Sequence, residues 1–143
     1  MSGFIETYRG AVAAWECDHL GHMNVQFYIA KVSDAAWHFQ QAIGMGPSVV
    51  RERRIGLAAV RQDVHYRREL LAGDLVLVQS GVLAIGGKSL TVLHRMLNAG
   101  SGEIAMTMTN VGVCLDLDGR KAMPLSDEIR TKAAALKVLE EPA

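Results

Sequence analysis

The sequence predicts an α+β fold in which one curved antiparallel sheet wraps around a single long helix. Three observations predict it. Apolar residues recur at helical spacing between residues 25 and 43. Four long strand-like runs follow between residues 55 and 117, each ended by a turn signal. One further strand-like segment precedes the helix. An early helix followed by consecutive hairpins belongs to the α+β class, and nothing in the 143 residues suggests a repeat, a low-complexity tract or an interdomain linker, so one domain over 1–143 is expected.

The elements follow in order. Residues 4–14 are rich in Ile, Thr, Tyr and Val and read as the first strand. A loop to Met23 leads to Asn24, a good N-cap. Val25, Tyr28, Ile29, Val32, Ala35, Ala36, Phe39 and Ile43 then form the helical stripe. Phe27, Ala30 and Trp37 lie off that stripe, so the helix is expected to be enclosed by the rest of the fold. Gly44 is a natural residue after the helix, and Gly46-Pro47 confirms the stop. Residues 58–67 alternate, with Val60, Gln62, Val64 and Tyr66 on one face and Arg61, Asp63, His65 and Arg67 on the other. Runs at 75–85, 89–97 and 103–117 end at Gly86-Gly87, Gly100-Ser101-Gly102 and Asp118-Gly119; with Gly73-Asp74, these breaks read as hairpin turns. Residues 126–139 read as a terminal helix capped by Ser126.

Composition narrows the function. Half the residues are apolar and the formal net charge is zero, so neither nucleic acid nor an acidic membrane surface is an expected partner. No apolar run reaches the length of a membrane span, and residues 1–9 lack the basic-then-apolar order of a signal peptide. Cys17 and Cys114 form no CxxC pair, which fits a reduced, cytoplasmic protein.

The chemistry concentrates in Trp15-Glu16-Cys17-Asp18-His19-Leu20-Gly21-His22-Met23-Asn24, directly ahead of the helix. A helix start offers unpaired N–H donors and partial positive charge. A carboxylate a few residues upstream can face whatever those donors polarise, which suits attack on a carbonyl or thioester. Cys17 reads as a structural thiol. Asp34 and Asp63 are rival carboxylates that read more simply as solvated charges. A metal reading would group Asp18, His19 and His22, but His38, His65 and His94 are scattered without ligand spacing, so no metal is expected.

These residues resemble the hotdog-fold thioesterases, specifically the 4-hydroxybenzoyl-CoA thioesterase-like branch. The resemblance rests on Asp18, on Gly21-His22-Met23-Asn24, on Tyr28 in the first turns of the helix, and on Tyr66 ahead of Leu70-Leu71-Ala72-Gly73-Asp74. It covers roughly residues 4–125. The chain departs from the branch at Asn24-Val25, where many members carry Asn-Asn, and at Arg67-Arg68-Glu69, where a Pro is usual.

The resemblance implies a hotdog fold and hydrolysis of an acyl-CoA thioester to free acid and coenzyme A. Asp18 would be the nucleophile or general base, the Val25 amide the oxyanion donor, and His22 an assistant. Asn24, Tyr28 and Lys88 would bind substrate. For the coenzyme A phosphates, Arg51, Arg53, Arg54, Arg67, Arg68 and Lys88 are candidates; Lys88 follows Gly86-Gly87, a turn able to offer N–H groups. No separate cofactor is implied, since coenzyme A arrives as part of the substrate. A homodimer or homotetramer is expected, with an acyl pocket shared between copies and Trp15, Met23, Phe27 and Trp37 as lining candidates. Competing readings are a hotdog hydratase or dehydratase acting on acyl thioesters, and a non-catalytic acyl-CoA-binding module.

Overall fold

A computed structural model describes residues 3–139. Strand β1 (Ile5–Ala11) enters the sheet first, and a short 3₁₀ turn (Ala14–Glu16) and a loop lead to helix α1 (Val25–Ala42). Helix α2 (Pro47–Arg53) precedes the long strands β2 (Ile55–Tyr66), β3 (Leu75–Ile85), β4 (Ser89–Asn98) and β5 (Ile104–Asp116). A two-residue strand β6 (Lys121–Ala122) pairs with the end of β5, and helix α3 (Asp127–Ala134) follows.

The main sheet runs in the order β1-β3-β4-β5-β2, antiparallel at every pairing. This corrects one expectation. Gly73-Asp74 is not a hairpin turn, because β2 lies at one edge beside β5 and β3 lies beside β1. Residues 67–74 therefore cross the end of the sheet. That crossing carries its own anchors: Arg67 and Arg68 amides donate to the Ala105 carbonyl, and the Gly73 amide donates to the Val12 carbonyl at 2.8 Å. Periodicity reports that a run is a strand, not which neighbour it takes, so this could not be read locally.

Helix α1 buries Tyr28, Val32, Ala35 and Phe39, and Ile43 after it, against the sheet. Asn24 caps its start by accepting the Gln26 amide at 3.0 Å. Gly44, at φ +87°, turns the chain out of the helix in a conformation open to glycine. Two clusters form the core. One joins Tyr28, Val32 and Ala35 to Val12, Met23, Leu70, Val76 and Val78; the other joins Phe39 and Ile43 to Val82, Leu90, Val92 and Ile129. The enclosure expected for α1 is incomplete, since Trp37 is 54% exposed.

Other boundaries differ from the sequence reading. The first strand stops at Ala11, because residues 14–16 tighten into the 3₁₀ turn. Helix α2 was not expected. Pro47 sits at its first turn with Gly46 as cap, so Gly46-Pro47 ends one helix and also starts the next. The terminal helix is shorter than 126–139: α3 ends at Ala134, and Lys137 forms an isolated bridge with Val82. In β2, a register shift between Ala59 and Arg61 breaks the expected alternation, and Val60 is 63% exposed on this edge strand. Among the described residues no helix is long and apolar enough to cross a membrane.

Inside the sheet, Thr7, Ser80 and His94 make a buried polar chain across β1, β3 and β4, with Thr7 Oγ1 to Ser80 Oγ at 2.8 Å and Ser80 Oγ to His94 Nδ1 at 2.6 Å. His94 is 1% exposed, with the Phe39 ring edge-on to it. Burial pushes its pKa down to about 4. The folded state thus resists a proton that the unfolded chain accepts near pH 6.5. His94 should leave stability intact above about pH 6.5 and remove roughly 3 kcal/mol as pH falls towards 4. Urea melts of wild type and His94→Gln across this range check it, with the variant expected to show the shallower decline.

Candidate functional site

The loop between β1 and α1 is a closed miniature hairpin. Cys17 and Met23 pair across it, the Asp18 amide donates to the His22 carbonyl at 3.1 Å, and the Gly21 amide returns to the Asp18 carbonyl at 3.0 Å. Gly21 has φ +87°, so the tight turn needs a residue at ease in the left-handed region. The Met23 amide donates to the Leu70 carbonyl at 2.8 Å, which fastens this hairpin to the segment crossing from β2 to β3.

Asp18 is fixed at both carboxylate oxygens. Oδ1 accepts the Leu20 amide at 2.9 Å, and Oδ2 accepts Asn24 Nδ2 at 2.8 Å. The Asn24 hydrogen bond, then the Leu20 amide, hold its carboxyl below the ordinary carboxylate range, with smaller help from His22 and His19. Asp18 is therefore an ionised, oriented acceptor at neutral pH. Asn24 serves two structures with one side chain, since its Oδ1 caps α1 while its Nδ2 holds Asp18.

Val25 is the first residue of α1, and its N–H meets no acceptor among the described residues. It is an unpaired donor at a helix start, beside the residue that grips Asp18. His22 Nδ1 lies 3.2 Å from the Met23 carbonyl, to which it donates, and Nε2 lies 4.0 Å from Glu69. No hydrogen bond joins the ring to Asp18 among the described residues.

Tyr28 is buried, donates its hydroxyl to the Arg68 carbonyl at 3.0 Å and stacks edge-on with Tyr66. That contact brings the two tyrosines of the sequence pattern together. Lys88 is exposed at the turn between β3 and β4. The Asp18 loop is tied to the other end of β3, through Val12 and Asp74. The 11 residues of β3 separate them by about 35 Å at strand rise. The Gly86 and Gly87 carbonyls of that turn accept from Arg130. Arg54 pairs with Asp118 at 3.1 Å and Arg68 with Glu103 at 3.2 Å. His19 and Asp34 are exposed, and Asp63 lies 3.5 Å from His65. Both cysteines are free thiols. Among the described residues no group of three or more His, Cys, Asp or Glu side chains is placed to hold a metal.

A cavity of about 290 Å³ lies between α1 and the strands β2, β4 and β5. Ile29, Trp37, Leu57, Val92 and Met108 give it apolar walls, and His94 also lines it. Of the expected pocket residues only Trp37 is among its lining. Met23 is in the core, while Trp15 is 75% exposed and packs edge-on against Phe27.

The sequence reading missed an ion pair. Lys31 Nζ lies 3.1 and 2.9 Å from the two carboxylate oxygens of Glu16, and both side chains are under a tenth exposed. A signal was present: Lys31 directly precedes Val32 of the apolar stripe, and a cation on a buried face requires an anion. The identity of that anion depends on the path of the loop, which spacing does not report.

Comparison with known proteins bears on the family and the fold. A family model described as the thioesterase-like superfamily matches residues 12–133. A long-chain acyl-CoA thioesterase of Escherichia coli is 24% identical over 123 residues, covering 85% of this chain and 91% of that protein. A betainyl-CoA thioesterase of Pseudomonas aeruginosa is 24% identical over 136 residues, covering 95% and 86%. A Staphylococcus aureus protein solved in complex with CoA superposes with a TM-score of 0.86 at 19% identity, covering 100% of this chain and 90% of that one. The curled antiparallel sheet around α1 is the hotdog fold, and the chain belongs to the thioesterase-like superfamily.

Proposed function

We propose that this protein is an acyl-CoA thioesterase that hydrolyses the thioester to a free acid and coenzyme A. The observation that carries the reading is the ionised Asp18 carboxylate, fixed by Leu20 and by Asn24, the residue directly before the unaccepted Val25 N–H. Asp18 attacks the thioester carbonyl or takes a proton from the water that does. The Val25 amide and the positive end of α1 stabilise the charge developing on the carbonyl oxygen. His22 assists from the side of the loop. Asn24 acts through Asp18, and Tyr28 fixes the first turns of α1 to the crossing segment. The acyl group occupies the cavity beside α1. The CoA-linked relatives support acyl-CoA as the substrate class. The reaction needs no metal or added cofactor, and a cytoplasmic setting fits the two free thiols.

Two or four copies form the working enzyme in this reading. The β2 edge offers 12 residues of open backbone, with exposed Val60 and Tyr66 on it and Trp37 on α1. Pairing along this edge would close the open side of α1 and share the cavity between copies. Lys88, remote from its own Asp18, would reach the phosphate end of a substrate bound to the neighbouring copy.

Three outcomes are expected. Asp18→Asn keeps shape and hydrogen bonding but removes the charge, so turnover of acyl-CoA substrates should fall about a hundredfold or more in a folded protein. Free thiol release measures it, and wild-type activity in the variant, or activity in the wild type that depends on a divalent ion after dialysis against chelator, would sink the mechanism.

Asn24→Ala removes the main donor that favours the Asp18 carboxylate. The acid limb of the pH profile for kcat/KM should therefore move to higher pH, and helix stability should drop by about 1 kcal/mol. An unmoved limb would separate Asn24 from the reacting carboxylate.

Light scattering should return a mass at least twice 15.5 kDa. Val60→Lys should weaken that assembly and reduce turnover with it; an active monomer would contradict the shared site.

A further inference from the structure

We propose that the buried Glu16–Lys31 ion pair is a positioning clamp that holds the Asp18 carboxylate in register with the start of α1. Glu16 grips the helix at two points. Its backbone carbonyl accepts the Asn24 amide at 2.9 Å, and both of its carboxylate oxygens reach Lys31 Nζ. Asn24 and Lys31 are seven residues apart in the chain, and the Lys31 side chain brings its Nζ back along α1 to the same Glu16. The Asn24 amide and the Met23–Leu70 bond hold the backbone of the loop; Lys31 adds a hold on the Glu16 side chain. Oε1 also accepts the Ala13 amide at 2.7 Å, which locks the 3₁₀ turn that delivers Glu16. Asp18 lies two residues further on and is joined to Asn24 by its own side chain. The path from Lys31 through Glu16 and Asn24 to Asp18 is therefore continuous.

Stability alone does not account for the pair. Two charges removed from water cost several kcal/mol, and apolar residues of similar volume commonly support a fold as well or better. Lys31 has the Tyr8 ring 5.8 Å away and apolar residues on either side along the buried face of α1. Burial pushes the Glu16 carboxyl up, but the Ala13 amide and Lys31 more than offset this and keep it ionised. With side chains 7% and 8% exposed, the pair acts through Asp18 rather than on substrate.

The clamp rests on Asp18 as the reacting carboxylate, and two experiments keep the ideas apart. The double variant Glu16→Gln/Lys31→Met removes both charges at near-constant volume. Its melting temperature should stay close to wild type, its kcat should fall at least about tenfold, and its KM should stay within about twofold, because misplacing a reacting group costs rate rather than binding. Wild-type kcat in the folded double variant overturns the clamp, and so does a change confined to KM. If the double variant does not fold, Glu16→Asp decides: it keeps the charge pair but shortens the reach by one methylene. It should lower kcat with little change in melting temperature, and an unchanged kcat overturns the proposal. An inactive Asp18→Asn with a fully active double variant refutes the clamp alone; an active Asp18→Asn refutes both.

Discussion

Burial of one face of α1 against the curled sheet is the constraint on which everything else depends. Tyr28, Val32, Ala35, Phe39 and Ile43 lie along that face, each 3% exposed or less. Fully burying Val32, Phe39 and Ile43 contributes about 1.5–3 kcal/mol each. The apolar contacts fix where the axis of α1 runs and therefore where its first N–H groups point. The polar loop ahead of the helix is hung on that position; it does not create it. Met23 and Leu70 join the same core from the loop and from the crossing segment, so the backbone bond between them is formed over packed side chains.

Polar groups at the site do double duty, which explains why so short a loop can be well ordered. Asn24 satisfies a helix-start amide and a carboxylate together. Asp18 closes its own turn through Leu20 while remaining an anion. Such sharing ties the helix cap to the carboxylate, since neither Asn24 contact can be removed by substitution without disturbing the other.

Most of α1 and the strand runs were legible in the sequence because their signals are local. The Tyr28-to-Ile43 spacing, the Asn24 cap and the Gly44 stop are each decided within a few residues. The Asp18 loop was legible as a cluster ahead of a helix, and the family resemblance supplied roles for its members. What could not be read was partnership at a distance. Pairing of Ile55 with Asp116 places β2 beyond β5, and no residue in 67–74 announces that crossing. The Glu16–Lys31 pair is hidden for the same reason. Helix α2 escaped for a different one: Pro47 is a breaker for the helix before it and a favoured first-turn residue for the helix after it.

The two edges of the sheet differ in character. β1 is short and presents the Glu6–Arg9 ion pair to solvent. β2 is longer and exposes an apolar Val60. A sheet with two equally inviting edges can recruit copies without limit and grow into a fibre. Here a two-fold pairing through β2 would consume the longer edge of both partners and leave only the short, charged edges outward. Unequal edges would thus set a stopping rule: an association through β2 would end at a closed pair, and further growth would have to use another surface.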